Sequence, residues 1–111
     1  MQIILHESSQ ETATGNTLDY VEPGFTITAL VVTVSQISVN LLGNVMMKVQ
    51  YSFDGSTWLD VPNLATGAIT ATNTITVNLS GGFPTGDHVR LAWTFNNANS
   101  ITFTAFALGV K

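Results

Sequence analysis

The sequence predicts an all-β protein: an antiparallel β-sandwich, jelly-roll or immunoglobulin-like, with seven to eight strands. The main observation is strict alternation, as in HVRLAWTF (88–95), where Val89, Leu91 and Trp93 share one face. Successive side chains on a strand point to opposite faces, so this spacing indicates half-buried strands and not helices. Turn signals also recur about every 8–12 residues, a spacing typical of a sandwich or small barrel.

The N-terminal region differs in composition from the rest of the chain. A short apolar run, Ile3 to Leu5, precedes a polar stretch rich in Ser, Thr, Glu and Gln that extends to Thr17. Such a stretch has little apolar content with which to fold alone. We therefore expect residues 1–17 to form an N-terminal strand and polar arm that becomes ordered against a neighbour, and residues 18–111 to form a single sandwich domain.

The remaining elements follow in chain order. Alternation and turn residues place strands at 25–35, 45–53, 58–61, 68–80, 88–95 and 101–110, with a bend at 41–44. The last two strands are expected to form a closing hairpin around 96–100. The predicted core comprises one face of 25–34 together with Val49, Tyr51, Val77, Val89, Leu91, Trp93 and Phe103.

Strand 25–35 is apolar on both faces, which indicates a central strand or one whose second face is covered by another layer or subunit. Leu30, Val32 and Met46 are the candidate interface residues. Together with Val34, Ala105 and Ala107 they are expected to lie on a covered outer surface or at second-layer positions. Arg90 joins the candidates because it is a lone cation among apolar residues. It is expected to pair with a carboxylate or to cross a subunit contact, and plain exposure is the alternative.

The composition restricts the class of partner. Charged residues make up 9% of 111 residues, the net charge is −4, and there is no cysteine. About a quarter of an ordinary soluble domain is charged. Three scattered basic side chains offer no footprint for a phosphate backbone, and no apolar run is long enough for a membrane span. We expect no direct nucleic-acid or membrane binding. We also expect the outer faces of the sandwich to be covered by neighbouring subunits, and the alternative is a monomer with few charged residues on its surface.

No catalytic, cofactor or metal site is predicted. His6 and His88 lack the spacing of metal ligands, and Asp87, His88 and Arg90 are not accompanied by a nucleophile motif. The best short motif is Asp54-Gly55 followed by Trp58, predicted to be a structural hairpin turn in which Gly55 adopts a left-handed conformation. Its role is therefore expected to be stability and not chemistry.

The DG-x-x-W turn (Asp54, Gly55, Trp58) and the closing GDHVRLAWTF…ITFTAFALGVK resemble small β-sandwich structural proteins of tailed-phage virions. The resemblance covers about the last seventy residues. It implies a non-enzymatic capsid decoration or cement protein, made in the host cytoplasm and located in the virion. It would stabilise the capsid lattice through contacts with the major capsid protein or other virion proteins, as a homo-oligomer with a trimer favoured. A tail, neck or fibre component and a carbohydrate-binding β-sandwich module are the alternatives.

Overall fold

The computed structural model describes residues 1–111, which form strands, turns and loops without a helix. The strands are β1 (Gln2–Glu11), β2 (Gly15–Asn16), β3 (Tyr20–Val21), β4 (Thr26–Ser52), β5 (Leu59–Ala65), β6 (Asn73–Pro84) and β7 (His88–Val110). All pairings between them are antiparallel. Two strands, β4 and β7, are several times longer than the usual five or six residues and pair with each other along most of their length.

The β4–β7 ribbon folds back over itself. Trp93 and Phe103 both belong to β7, and their ring centroids lie 5.6 Å apart. Ten residues of straight strand would separate them by about 33 Å. The bend lies where the register shifts from Val39 opposite Ala98 to Asn44 opposite Asn96. The fold-back brings the two halves of the ribbon face to face.

Each half of the ribbon forms the centre of one layer. In the first layer, the N-terminal half of β4 and the C-terminal half of β7 are flanked by β6 and β1. In the second layer, the other two halves are flanked by β5 on one side and by β2 and β3 on the other. The predicted all-β sandwich of antiparallel strands is therefore confirmed.

The predicted closing hairpin is wrong. Residues 88–95 and 101–110 are two stretches of the single strand β7, and each stretch pairs with β4. The turn-rich segment 96–100 bends the strand without making the two stretches hydrogen-bond to each other. This is possible because β4 bends at the same level, so the ladder between the two strands continues around the corner.

A β-bulge explains why strand 25–35 is apolar at both alternating sets of positions. The register of β4 shifts between Ile27 and Ala29 against both of its neighbours. An inserted residue exchanges the two faces of a strand. Phe25 and Ile27 point inward before the bulge, and Leu30 and Val32 point inward after it, all without significant exposure.

Leu30 and Val32 are therefore wrong as interface residues, since neither has any exposed surface with which to touch a partner. Val34, Ala105 and Ala107 are also buried in the core, which agrees with the second-layer alternative for these residues and excludes the outer-surface one. Met46 differs from them because 43% of its surface is exposed.

The predicted N-terminal strand is present, but the expectation that the polar arm becomes ordered only against a neighbour is wrong. Strand β1 pairs with β7 from Gln2 to Glu11, and Ile3 lies in the hydrophobic core. The polar stretch beyond it is tied to the second layer, because the Trp93 indole Nε1–H donates to the Ala13 carbonyl at 2.8 Å and the Phe95 backbone N–H donates to Thr14 Oγ1 at 2.9 Å. Hydrogen bonds that β7 donates to threonine hydroxyls and to a backbone carbonyl of this stretch replace the apolar contacts that the composition lacks.

The core lies between the two layers and contains the predicted residues. Val49, Val89, Leu91, Trp93 and Phe103 are buried in one cluster. Tyr51 and Val77 are partly buried and pack against that cluster.

Candidate functional site

The segment singled out by sequence, 53–58, is a loop stabilised by side chains. The Ser56 and Thr57 backbone N–H groups donate to Asp54 Oδ1, each at 2.8 Å, and the Ser52 hydroxyl donates to the same oxygen at 3.0 Å. These bonds, from Thr57, Ser56 and then Ser52, hold the pKa of Asp54 at about 2, below its usual 3.8. Gly55 has a φ of 78°, which confirms its predicted left-handed conformation.

The loop is one residue longer at each end than the predicted strands 45–53 and 58–61 imply. The ladder between β4 and β5 ends with Tyr51 opposite Leu59, so the chain reverses through the residues between them. Asp54 and Gly55 act in this loop as a carboxylate cap and a left-handed residue. Their contacts are with the backbone of the loop itself, which agrees with a role in stability.

The bend of β4 forms a second distinctive feature, here called the leucine corner (residues 40–43). Leu41 and Leu42 are 88% and 93% exposed, among the largest values of any apolar side chain in the protein. Leu42 has a φ of 62°, a left-handed conformation that costs a leucine about 1–2 kcal/mol. The corner thus keeps two large apolar side chains in water in a conformation that opposes folding.

Amide side chains from β7 hold the leucine corner in place. The Asn40 amide donates to Asn97 Oδ1 at 3.0 Å, and the Asn97 amide donates to the Leu41 carbonyl at 3.3 Å. The Asn99 amide donates back to Asn40 Oδ1 at 3.2 Å. At Gly43 the backbone of β7 approaches so closely that a Cβ would overlap the carbonyl oxygen of Asn97. These contacts give the two leucines a fixed position at one end of the sandwich.

A third feature is the outer surface of the second layer, here called the outer polar face. It carries the side chains Asn16, Lys48, Gln50, Trp58, Asp60 and Arg90. Gln50 lies opposite Arg90 on β7 and opposite Asp60 on β5, so these three side chains form one row across the sheet. The Gln50 amide donates to Asp60 Oδ1 at 2.9 Å, and Lys48 Nζ donates to Asp60 Oδ2 at 3.1 Å. These two donors, Gln50 first, lower the pKa of Asp60.

Arg90 occupies the middle of this face. Its Nε–H donates to Gln50 Oε1 at 2.8 Å and its Nη1 donates to Asn16 Oδ1 at 3.4 Å. Its guanidinium carbon lies 4.3 Å from the ring centroid of the half-buried Trp58, a cation–π distance. No carboxylate of this chain pairs with Arg90, and the subunit contact and plain exposure remain the open expectations for this side chain.

The remaining ionisable side chains form small separate groups. His6 is buried, stacks on Phe103 at 3.8 Å between centroids, and donates from Nδ1 to the Phe103 carbonyl at 3.0 Å. Its Nε2 lies 2.7 Å from Glu11 Oε2 and 3.4 Å from Ser9 Oγ. The acid and the hydroxyl compete for the same nitrogen, so this group does not have the geometry of a Ser-His-acid relay.

The open cleft beside His6 has a volume of about 680 Å³ and lies between the end of β1 and residues 12–20. Its wall combines backbone, threonine and acidic side chains without a focused set of groups. His88 lies elsewhere, with Nδ1 at 2.7 Å from Asp19 Oδ2. No three His, Cys, Asp or Glu side chains come together as metal ligands. The structure has no helix with the length and apolar character needed to cross a bilayer.

Sequence reasoning singled out Asp54, Gly55, Trp58 and Arg90 in these features and assigned no role to most of the other residues. Arg90 and Trp58 were noted separately, and the structure brings them into contact. Gln50 and Asn16 were missed because polar side chains on an alternating strand carry no signal until the register places them beside Arg90. Leu41 and Leu42 were read as a bend, and only their exposure distinguishes them from core leucines.

No family model matches the chain, and no curated protein sequence matches it. Several solved structures share its fold. The SPBc2 prophage-derived protein YomS aligns over 96% of this chain and 90% of its own length, with a TM-score of 0.51 and 13% identity. The low-affinity xylan-binding module CBM86 of Roseburia intestinalis aligns over 99% and 95%, with a TM-score of 0.51 and 14% identity.

The fold also matches part of a larger viral structure. A chain of the infectious bursal disease virus Gx strain aligns over 99% of this chain and 32% of its own, with a TM-score of 0.54 and 11% identity. At these identities the likeness concerns the fold alone. The sandwich is thus shared with a prophage protein, a viral chain and a carbohydrate-binding module.

Proposed function

We propose that this protein is a non-enzymatic structural component of a phage virion, attached to its neighbours by the leucine corner. The observation that carries the proposal is the exposure of Leu41 and Leu42 on a corner that is hydrogen-bonded to β7. A sequence under selection for stability alone would place glycine at a left-handed, solvent-exposed position. The presence of leucine at position 42 is explained if a partner buries its side chain.

The chemistry around the corner indicates what kind of partner fits. No charged residue occurs in 23–47 or in 91–110, the two segments that form the corner and its flanks. An anionic bilayer surface would call for basic residues beside the leucines, and none are present. A protein surface with an uncharged apolar pocket and rim groups that hydrogen-bond amides is complementary to this end of the molecule. A major capsid protein or another virion protein is the proposed partner.

The finer assignment is a capsid decoration or cement protein that acts as a homo-oligomer, with a trimer favoured. Support comes from the low charge and from the apolar side chains that stay exposed elsewhere, among them Ile4, Met46 and Val110. Many weak contacts made by all copies at once would stiffen a shell through multivalency. A component of the tail, neck or fibre would attach through the same leucine corner and would differ only in the partner that it contacts.

Attachment can be tested with particles of the virus whose genome encodes the chain. We expect the wild-type protein in a fixed copy number per particle, and the Leu41→Ser/Leu42→Ser double variant to be folded and depleted about tenfold or more, because two buried leucines contribute several kcal/mol. Leu18→Ser is the matched control, since Leu18 is 91% exposed and lies outside the corner. Equal incorporation of all three proteins, or absence of the wild type from particles, would contradict the proposal.

A second candidate function, carbohydrate binding, is favoured by the outer polar face. Trp58 offers a half-buried aromatic ring, and Gln50, Asp60 and Arg90 beside it offer hydrogen-bond donors and acceptors in one row. Hydroxyl groups both donate and accept, so such a row suits a sugar. The fold shared with a xylan-binding module gives this candidate additional support. Binding to a glycan array with millimolar or tighter affinity is the expected result, and loss on Trp58→Ala would place the ligand on this face.

A further inference from the structure

We infer that Arg90 is a receptor for a carboxylate, and that the outer polar face binds an acidic glycan, one that contains uronic or sialic acid. This inference rests on the second candidate function and specifies its ligand class. Its first support is the distribution of charge. Lys48 is paired with Asp60 at 3.1 Å and Lys111 with Glu22 at 3.6 Å, which leaves Arg90 as the one basic side chain without a carboxylate.

An unpaired guanidinium is unexpected in this chain. Seven acidic residues are available against three basic ones, and the net charge is −4. Asp60, in the same row of side chains, takes Lys48 and Gln50 instead of Arg90. Arg90 therefore presents the positive charge of this face without internal neutralisation, although it is itself half-buried.

The guanidinium is held in place before any ligand arrives. Gln50 accepts from its Nε, Asn16 accepts from its Nη1, and Trp58 lies against its plane. Gln50 is fixed in turn by Asp60. A guanidinium has five N–H donors in a planar fork, so these two bonds leave both Nη2 N–H groups and one Nη1 N–H without a partner in the chain. A carboxylate can accept from the Nη1–Nη2 end of the fork.

The surroundings favour a sugar carboxylate over the carboxylate of an acidic peptide. Protein interfaces bury an apolar centre, and for that purpose this face offers Met46, part of Trp58 and the small side chains of Ala65 and Ala92. Its other groups are amides and charged groups aligned across the strands, which match ring hydroxyls. In the inferred complex, the carboxylate lies on the fork of Arg90 while the apolar face of the sugar ring packs on the exposed part of Trp58.

The location is compatible with attachment through the leucine corner. Gln50 is eight residues from Leu42 along β4, a distance of about 26 Å on an extended strand. A molecule anchored by the corner would keep this face open to solvent. Attachment and glycan binding are thus independent properties, and variants at one location test it without disturbing the other.

The test uses a glycan array with uronic-acid, sialic-acid and neutral members, followed by calorimetric titration of the best acidic glycan and of the same glycan with its carboxyl groups reduced to alcohols. Acidic members should bind, and reduction should weaken binding about tenfold or more, as expected for charge-assisted hydrogen bonds. Arg90→Gln should cause a similar loss, and Arg90→Lys a smaller one because it keeps the charge and loses the fork. Lys111→Gln, the control, removes the same charge outside this face and should change affinity by less than about threefold, because Lys111 is already paired with Glu22.

The possible results separate the two ideas. Binding confined to neutral glycans would overturn the carboxylate inference and retain carbohydrate binding. Absence of binding to any glycan would overturn both. Competition by hexaglutamate as strong as by the acidic glycan would overturn the sugar assignment and make Arg90 a site for acidic peptides. Chemical reduction of the glycan leaves the protein unchanged, so this arm holds even if an Arg90 variant folds poorly.

Discussion

The leucine corner and the loop at 53–58 reverse or bend the same strand, β4, and they do so in opposite ways. In the loop, the residue with positive φ is a glycine, and the exposed side chain of Asp54 caps backbone N–H groups. In the corner, the residue with positive φ is a leucine, and the exposed side chains are apolar. The contacts of the loop stabilise the fold. The left-handed Leu42 and the exposed leucines of the corner destabilise the isolated protein, and a partner that buries these leucines would offset that cost.

Gly43 provides the largest expected effect, because the corner depends on close approach of two backbones. Gly43→Ala should destabilise the protein by about 3 kcal/mol, since the new Cβ overlaps the carbonyl of Asn97. Gly67→Ala is the control: a Cβ there meets nothing within 4 Å, and the change should stay within about 0.5 kcal/mol. Urea unfolding of both variants measures the difference. Equal midpoints would mean that the corner is not tightly held.

Gly55 tests the loop. Gly55→Val should cost about 1–2 kcal/mol, because a β-branched residue resists a φ of 78° and because a Cβ there lies 3.3 Å from the ring of His88. Thermal unfolding measures the loss, and glycan binding and particle attachment should remain unchanged in the folded variant. Loss of ligand binding without loss of stability would instead assign the loop a direct functional role.

The pH dependence of Asp54 gives the smallest effect. Its pKa in the folded protein, about 2, lies below its usual 3.8, so its ionised form stabilises the fold. That contribution is fully present above about pH 4 and is lost as the pH falls through about 2. The stability difference between the wild type and Asp54→Asn should therefore shrink between those pH values. A difference that stays constant across this range would show that ionisation of Asp54 does not support the loop.

The alternation of apolar residues was enough to predict the strands, the sandwich and core residues such as Val89 and Phe103. This is because the apolar positions within one strand identify which of its faces is buried. Long-range pairing was not predictable from the same pattern. The bulge between Ile27 and Ala29 exchanges the two faces of β4. An alternation continued without this bulge places Leu30 and Val32 on the outer face, which is why they were predicted to be interface residues. The single strand β7 looked like two, since its bend uses residues typical of a turn.

The functional features depend even more on register. Arg90, Gln50 and Asp60 come from three strands, and nothing local in the sequence indicates that they form a row. Leu41 and Leu42 resemble core residues in composition, and only the position of the corner shows that they face solvent. Gly55 was predictable because a left-handed turn residue is a local property.

Under the proposed function, Leu42 is retained for contact with a partner at a cost to the stability of the isolated protein. The Leu42→Gly variant separates these two effects when the unfolding free energy and the incorporation into particles are measured on the same preparation. Relief of the left-handed strain should raise the unfolding free energy by about 1 kcal/mol, while incorporation into particles should fall. Leu18→Gly, at a position equally exposed and without positive φ, should show no gain in stability. A Leu42→Gly protein that is less stable than the wild type and still incorporated normally would contradict the claim.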